Sequence, residues 1–198
     1  MKYLPKKGFT LIEIMVVVSI SSLISLVVLW SYGKFNDNIA LTAAGQELLI
    51  AFREAQVYSL TVREADMESG NFNYAYGVYV EPDDPTHYYL FVDRDASKTY
   101  DVGNGCGTAN TECLEQGTFR NRIVVSSICN QSSCPPHPSV NKLDVTFLRP
   151  NPDANINFTN NGGIIWSTSQ SVGKIVLQSP MGKNLTVVVS SSGQISTE

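Results

Sequence analysis

FTLIEIMVVVSISSLISLVVLW, residues 9–30, is a run of 22 residues in which Glu13 is the only charge and neither Pro nor Gly interrupts. At about 1.5 Å per residue a helix of that length covers roughly 33 Å, against a hydrocarbon core of about 30 Å, so the run can span a bilayer. A secretory signal carries a shorter apolar stretch, about 7 to 15 residues, and ends at small residues. This run starts at bulky Phe9 and continues into Trp30-Ser31-Tyr32. A buried core helix of this length is out of scale with so small a domain. Lys2, Lys6 and Lys7 precede the run, whereas Lys34 on its far side is offset by Asp37. The positive-inside rule therefore puts the N-terminus in the cytoplasm and everything after Trp30 outside, with Trp30 and Tyr32 at the outer interface.

Beyond the run, 198 residues with 43% apolar and 16% charged side chains suffice for one domain with a core and exclude a disordered or collagen-like chain. The 14 basic and 18 acidic residues leave a net charge of -4, and from Phe9 onward the balance is 11 basic against 18 acidic. No positive field exists to collect nucleic acid, so no nucleic-acid partner is expected.

Glu13 stands out, because an acidic side chain inside a membrane helix costs about 2.5 to 3.5 kcal/mol on insertion scales. One reading is that it lies about 6 Å along the helix from Phe9 and snorkels to the interface. The other is that a cation meets it in the apolar layer. The run holds no cation, but a cut between Gly8 and Phe9 would create an α-amino group, which is mostly protonated at neutral pH.

The stretch Lys6-Lys7-Gly8-Phe9-Thr10-Leu11-Ile12-Glu13 resembles the processing motif of type IV prepilins and type II secretion pseudopilins. The resemblance implies that a membrane prepilin peptidase removes a basic leader after Gly8 and N-methylates Phe9. It also implies that Glu13, the fifth mature residue, neutralises the α-amino group of a neighbouring subunit during filament assembly. In a low-dielectric layer that attraction is magnified. Phe9 and Glu13 are also i, i+4 within the expected helix, so an unassembled monomer could pair them internally and assembly would exchange partners.

Helical periodicity continues past the apolar run. Leu41, Ala44, Leu48, Phe52 and Ala55 recur every three or four residues, with Gln46, Glu47, Arg53 and Glu54 off that stripe. A single helix from Phe9 to about Arg63 is expected, its stripe packed on a head, with Gly33 as a candidate bend and, as the equal alternative, Gly33 and Gly45 simply tolerated in an otherwise strong helix. After Ser69-Gly70 short β-rich runs begin. Tyr74 to Val80 and His87 to Asp93 read as a hairpin about a Pro/Asp turn, as do Val172 to Gln178 and Leu185 to Val189 about residues 179–184. Arg122 to Ile128 and Leu143 to Leu148 read as further strands. Helix first and antiparallel strands afterward is an α+β order. The expected division is a leader at 1–8, a transmembrane or filament-core helix at 9–32, its amphipathic continuation at 33–68 and an extracytoplasmic head at 69–198.

The head resembles the H-type minor pseudopilins of type II secretion and their pilus counterparts, through Ala51-Phe52-Arg53-Glu54-Ala55 and the closing strands from Ile175 to Ile195 with late Gly193. It departs from that pattern at Phe52, where Ala is usual, and at Gln194, where Arg is common.

Cys106, Cys113, Cys129 and Cys134 all follow the membrane run, and an even count outside the cytoplasm argues for two disulfides. Of three connectivities, joining Cys106 to Cys113 and Cys129 to Cys134 closes the shortest loops. Zinc fits these spacings poorly. Asp93, Asp95, Ser97, Thr99 and Asp101 alternate like calcium ligands, yet Lys98 and Asn104 stand where an EF-hand wants Gly and Glu, so a solvated turn is expected. His87 and His137 have no nucleophile elbow or metal dyad around them, and no catalytic residue, metal or cofactor is expected. Tyr74, Tyr76, Tyr79, Tyr88 and Tyr89 are read as cross-strand packing, with a sugar-binding face as the alternative.

The reading is a minor pilin or pseudopilin, a structural subunit of a type IV pilus-like filament or its initiating tip. The alternatives are an H-type pseudopilin of a type II secretion system and a pilus-tip adhesin. The implied partners are other pilins through the N-terminal helix, the prepilin peptidase, an inner-membrane assembly platform and the lipid bilayer.

Overall fold

The computed structural model describes residues 8–61, 73–101, 103, 105–107, 111–134, 140–160, 165–167 and 170–198. The lysines of the leader, His137, and the expected boundary near residue 69 lie outside these. Among the described residues one α-helix, α1 (Leu11–Leu60), is followed by ten strands. The strands are β1 (Ala75–Val80), β2 (His87–Asp93), β3 (Cys113–Thr118), β4 (Val124–Cys129), β5 (Lys142–Phe147), β6 (Ala154–Thr159), β7 (Ile165–Ser167), β8 (Val172–Gln178), β9 (Asn184–Ser190) and β10 (Ile195–Thr197). The layout is α+β, with every strand pairing antiparallel. Residues up to Asp37 and residues from Asn38 onward form two compact units.

In the second unit the strands build two sheets, one ordered β3-β2-β1-β5-β6-β7 and one ordered β10-β9-β8-β4. The helical stripe of Leu41, Ala44, Leu48, Phe52 and Ala55 is buried in one core with Tyr76, Val78, Leu90, Val145, Ile156, Ile175 and Val187 from both sheets. Gln46 and Arg53, off the stripe, are exposed. Helical assignment continues through Gly33 and Gly45. Gly45 has a packing reason: a Cβ there would overlap the side chain of Leu185 on β9. Gln56, one turn past Phe52, donates through Nε2 to the carbonyls of Pro152 at 3.1 Å and Gly193 at 3.2 Å, tying α1 to the turn between β9 and β10. Gly193 takes φ +79° in that turn, where any side chain would also collide with the Pro152 carbonyl.

The central strand β1 is buried at all six positions, so both faces of its sheet are covered. Period-two alternation sends Tyr76, Val78 and Val80 to the α1 core. Tyr79, on the other face, meets Tyr89 of β2 and Tyr100 of the following loop at ring distances of 5.9 and 5.0 Å. Tyr89 and Tyr100 stack, with their planes 17° apart. The tyrosines thus divide between two packed layers. Tyr88 turns toward α1, against Phe119 at 5.3 Å.

Candidate functional site

The helix opens two residues later than a start at Phe9, because Thr10 caps it. Thr10 Oγ1 accepts from the Glu13 N–H at 3.3 Å, and the Thr10 carbonyl accepts from Glu13 N–H at 3.1 Å and Ile14 N–H at 3.2 Å. Thr10-Leu11-Ile12-Glu13 is therefore a T-x-x-E cap, with Glu13 at the third helical position, where the helix dipole favours a carboxylate. The signal lies in the sequence, as a Thr three residues before a Glu ahead of an apolar run. With Phe9 outside the helix, Phe9 and Glu13 are not a helical i, i+4 pair. Gly8 and Phe9 are exposed, and a Cβ on Gly8 would meet nothing within 4 Å among the described residues.

From Phe9 to Tyr32 the large apolar side chains are each 50% to 80% exposed, all round the helix. At about 1.5 to 3 kcal/mol per such side chain, water is an untenable surround for this segment. Among the described residues, α1 is the one helix long and apolar enough to cross a membrane. Its hydroxyls suit that setting: Ser19 donates to the Met15 carbonyl and Ser25 to the Ser21 carbonyl, each at 2.8 Å, so neither presents an unpaired donor to hydrocarbon. Glu13 is exposed on the same segment, and its carboxylate has no hydrogen-bond or ion-pair partner among the described residues.

In the head, Cys106 is bonded to Cys113 at the start of β3, and Cys129 at the end of β4 is bonded to Cys134. The second loop is further fixed by Asn130, whose side-chain oxygen accepts from the N–H groups of Ser132 and Ser133, both at 2.8 Å.

Asp93, Asp95 and Glu112 bring carboxylate oxygens within 4.8 Å of one another and are, among the described residues, the group able to offer a cation three ligands. Their oxygens also have a structural task. Asp93 accepts from the N–H groups of Ser97 and Lys98 at 3.0 Å. Glu112 accepts from Arg94 N–H at 3.0 Å and Asp101 N–H at 2.8 Å, and Asp144 accepts from Tyr100 N–H at 2.8 Å. Asn157 donates to the Lys98 carbonyl at 2.8 Å. These bonds hold Ala96 and Lys98 in the left-handed region, at φ 64° and 63°, and seat Tyr100 on the aromatic layer. The alternating Asp, Ser and Thr of residues 93–101 thus cap backbone in a tightly folded loop. Glu112, Asp144 and Asn157, which complete the clamp, are too distant in sequence for local spacing to reveal.

Burial of Asp144 pushes its carboxyl up to about 7, against the lowering pull of the Tyr100 N–H and the Thr159 hydroxyl. Burial also raises Asp93 and Glu112, while backbone and side-chain hydrogen bonds from Ser97 lower Asp95. The folded Asp144 keeps its proton to about pH 7, whereas an unfolded Asp releases it near pH 3.9. Between those values the folded chain binds more protons, so stability falls as pH rises through the window. Asp144→Asn, which keeps an acceptor for Tyr100, is expected to flatten that decline and to unfold at a higher temperature than the parent at pH 8. Thermal unfolding across a pH series checks this, and an unchanged slope would remove Asp144 as its source.

Residues 4–29 match the family model for the prokaryotic N-terminal methylation motif. No curated protein and no solved structure matches the chain. The motif supports a type IV pilin-like protein, a structural subunit made as a substrate of prepilin peptidase, and together with the apolar helix it fits membrane anchoring and assembly with other pilins.

Proposed function

We propose that this chain is a minor pilin or pseudopilin, processed between Gly8 and Phe9, methylated at Phe9, and inserted through α1 into a type IV pilus-like filament or its initiating tip. The methylation motif at the head of an apolar helix exposed all round carries this reading. Before assembly the helix sits in the cytoplasmic membrane, N-terminus in the cytoplasm and head outside, where an oxidising compartment sustains two disulfides. On assembly the apolar side chains exchange lipid for the helices of neighbouring subunits. Among the described residues Glu13 has no partner to give up, so its carboxylate is available to the cationic N-terminus of another subunit. The chain's work is therefore packing and charge pairing.

A second reading, an H-type pseudopilin of a type II secretion machine, draws on the β8-β9 hairpin and the Gly193 turn that close the head against α1.

The exposure of Gly8 and Phe9 makes processing testable. Co-production with a prepilin peptidase is expected to shorten the chain so that it begins at Phe9, while Gly8→Val stays full length. Cleavage at another bond, or none in the parent chain, would overturn the proposal.

A further inference from the structure

On the side of α1 away from the buried stripe, Ile39, Ile50 and Val57 are 51%, 66% and 54% exposed, an unpartnered row on the part of the helix that belongs to the head. Where this row passes β2 and β3 a groove of about 180 Å³ opens. Buried Leu90 and the Tyr88 ring give it an apolar floor, and exposed Ile50 lines its edge together with Glu47, Glu54 and Glu115, whose carboxylates form its rim. Two tyrosines position the rim from below: the Tyr88 hydroxyl donates to Glu47 at 3.2 Å and the Tyr58 hydroxyl to Glu54. No basic side chain pairs with any of the three carboxylates among the described residues.

Three carboxylates around an apolar floor repel one another and focus a negative potential into the groove. The complementary group has an aliphatic stem for Ile50 and Leu90 and a cationic head for the rim, which describes Arg or Lys. Arg adds a planar guanidinium that can lie over Tyr88 and bond two carboxylates at once. The row Ile39, Ile50 and Val57 extends the contact along a helix whose earlier residues are themselves exposed for apolar packing.

We propose that this groove is a subunit contact that receives an Arg or Lys side chain from a neighbouring pilin-type subunit. The inference rests on the filament-subunit reading and adds to it the place where the head recognises its neighbour. The acidic rim then selects which subunit docks, since a neighbour with an acidic residue at that point is repelled.

The test uses the full-length chain in its native host with a photo-crosslinking phenylalanine in place of Ile50 and, in separate cells, in place of Leu23. The Ile50 probe is expected to join a peptide containing Arg or Lys, from a chain that itself begins with a prepilin-type motif. Double reversal, Glu47→Lys with Glu115→Lys, is expected to cut that adduct by about tenfold or more while the Leu23 adduct persists. Glu47→Gln with Glu115→Gln, a milder change, gives an intermediate yield and decides the matter if the reversed chain fails to fold. An adduct at Leu23 with none at Ile50 would overturn the groove contact and leave the filament reading standing. A yield indifferent to rim charge, or an adduct with a protein lacking the motif, would also overturn it. Loss at both positions in the otherwise unaltered chain would overturn both readings.

Discussion

Glu13→Leu is expected to leave cleavage and membrane insertion intact while incorporation into filaments falls by about two to three orders of magnitude. Removing the carboxylate lowers the cost of inserting the helix, by about 2.5 to 3.5 kcal/mol on insertion scales, so the variant should enter the membrane at least as well. The loss falls on assembly. A neighbour's protonated N-terminus, carried into the apolar layer, would be left unpaired, and breaking a buried pair by deleting one partner costs about 3 to 5 kcal/mol. Each 1.4 kcal/mol is about a factor of ten. Glu13→Gln preserves shape and length and should fail similarly, which separates charge from packing. Quantifying the chain in sheared filaments against the membrane pool checks both variants. Normal incorporation of either would dismiss the proposed role of Glu13.

The second large effect is on the head. Phe52 is fully buried on α1 within the core that joins both sheets. Phe52→Ala is expected to destabilise the head by about 3 to 5 kcal/mol, the range for a large aromatic truncated where its surroundings cannot collapse. For a unit of this size that lowers the unfolding temperature by roughly 6 to 20 °C. Arg53→Ala, the next residue and exposed, should shift stability by no more than about 0.5 kcal/mol. Near-UV circular dichroism of the detergent-solubilised chain during heating distinguishes them. Equal effects would mean that the 3.6-residue stripe does not define the contact.

The stripe was legible because burial on one side of a helix leaves a periodic trace, and the apolar run because lipid demands uniformity. Strands rich in Val, Ile and aromatic residues were legible for the same reason, and β2 and β8 fall where the sequence places them. Strand β3, CLEQGT, left no such trace: it lies at a sheet edge with mostly exposed or half-buried side chains. Strand β6, ANINFT, was hidden differently. Its Asn155 and Asn157 are residue types depleted in strands, yet Asn157 is buried and holds the Lys98 carbonyl of the clamped loop. The second aromatic layer needs Tyr79, Tyr89 and Tyr100 brought together by strand pairing and by that loop, which no local pattern encodes. The N-terminal residues Gly8, Phe9 and Glu13 were readable as a contiguous motif. The Thr10 cap was equally present there, and it shifts the helix start to Leu11.

The decisive experiment is mass spectrometry of surface filaments sheared from the native host. A peptide that begins with methylated Phe9 is the expected finding, and it would place the processed chain in an extended filament. Recovery of the mature form from the membrane fraction alone would shift the reading to a short pseudopilus or an initiating tip. An unprocessed N-terminus in both fractions would refute assembly as a pilin-type subunit.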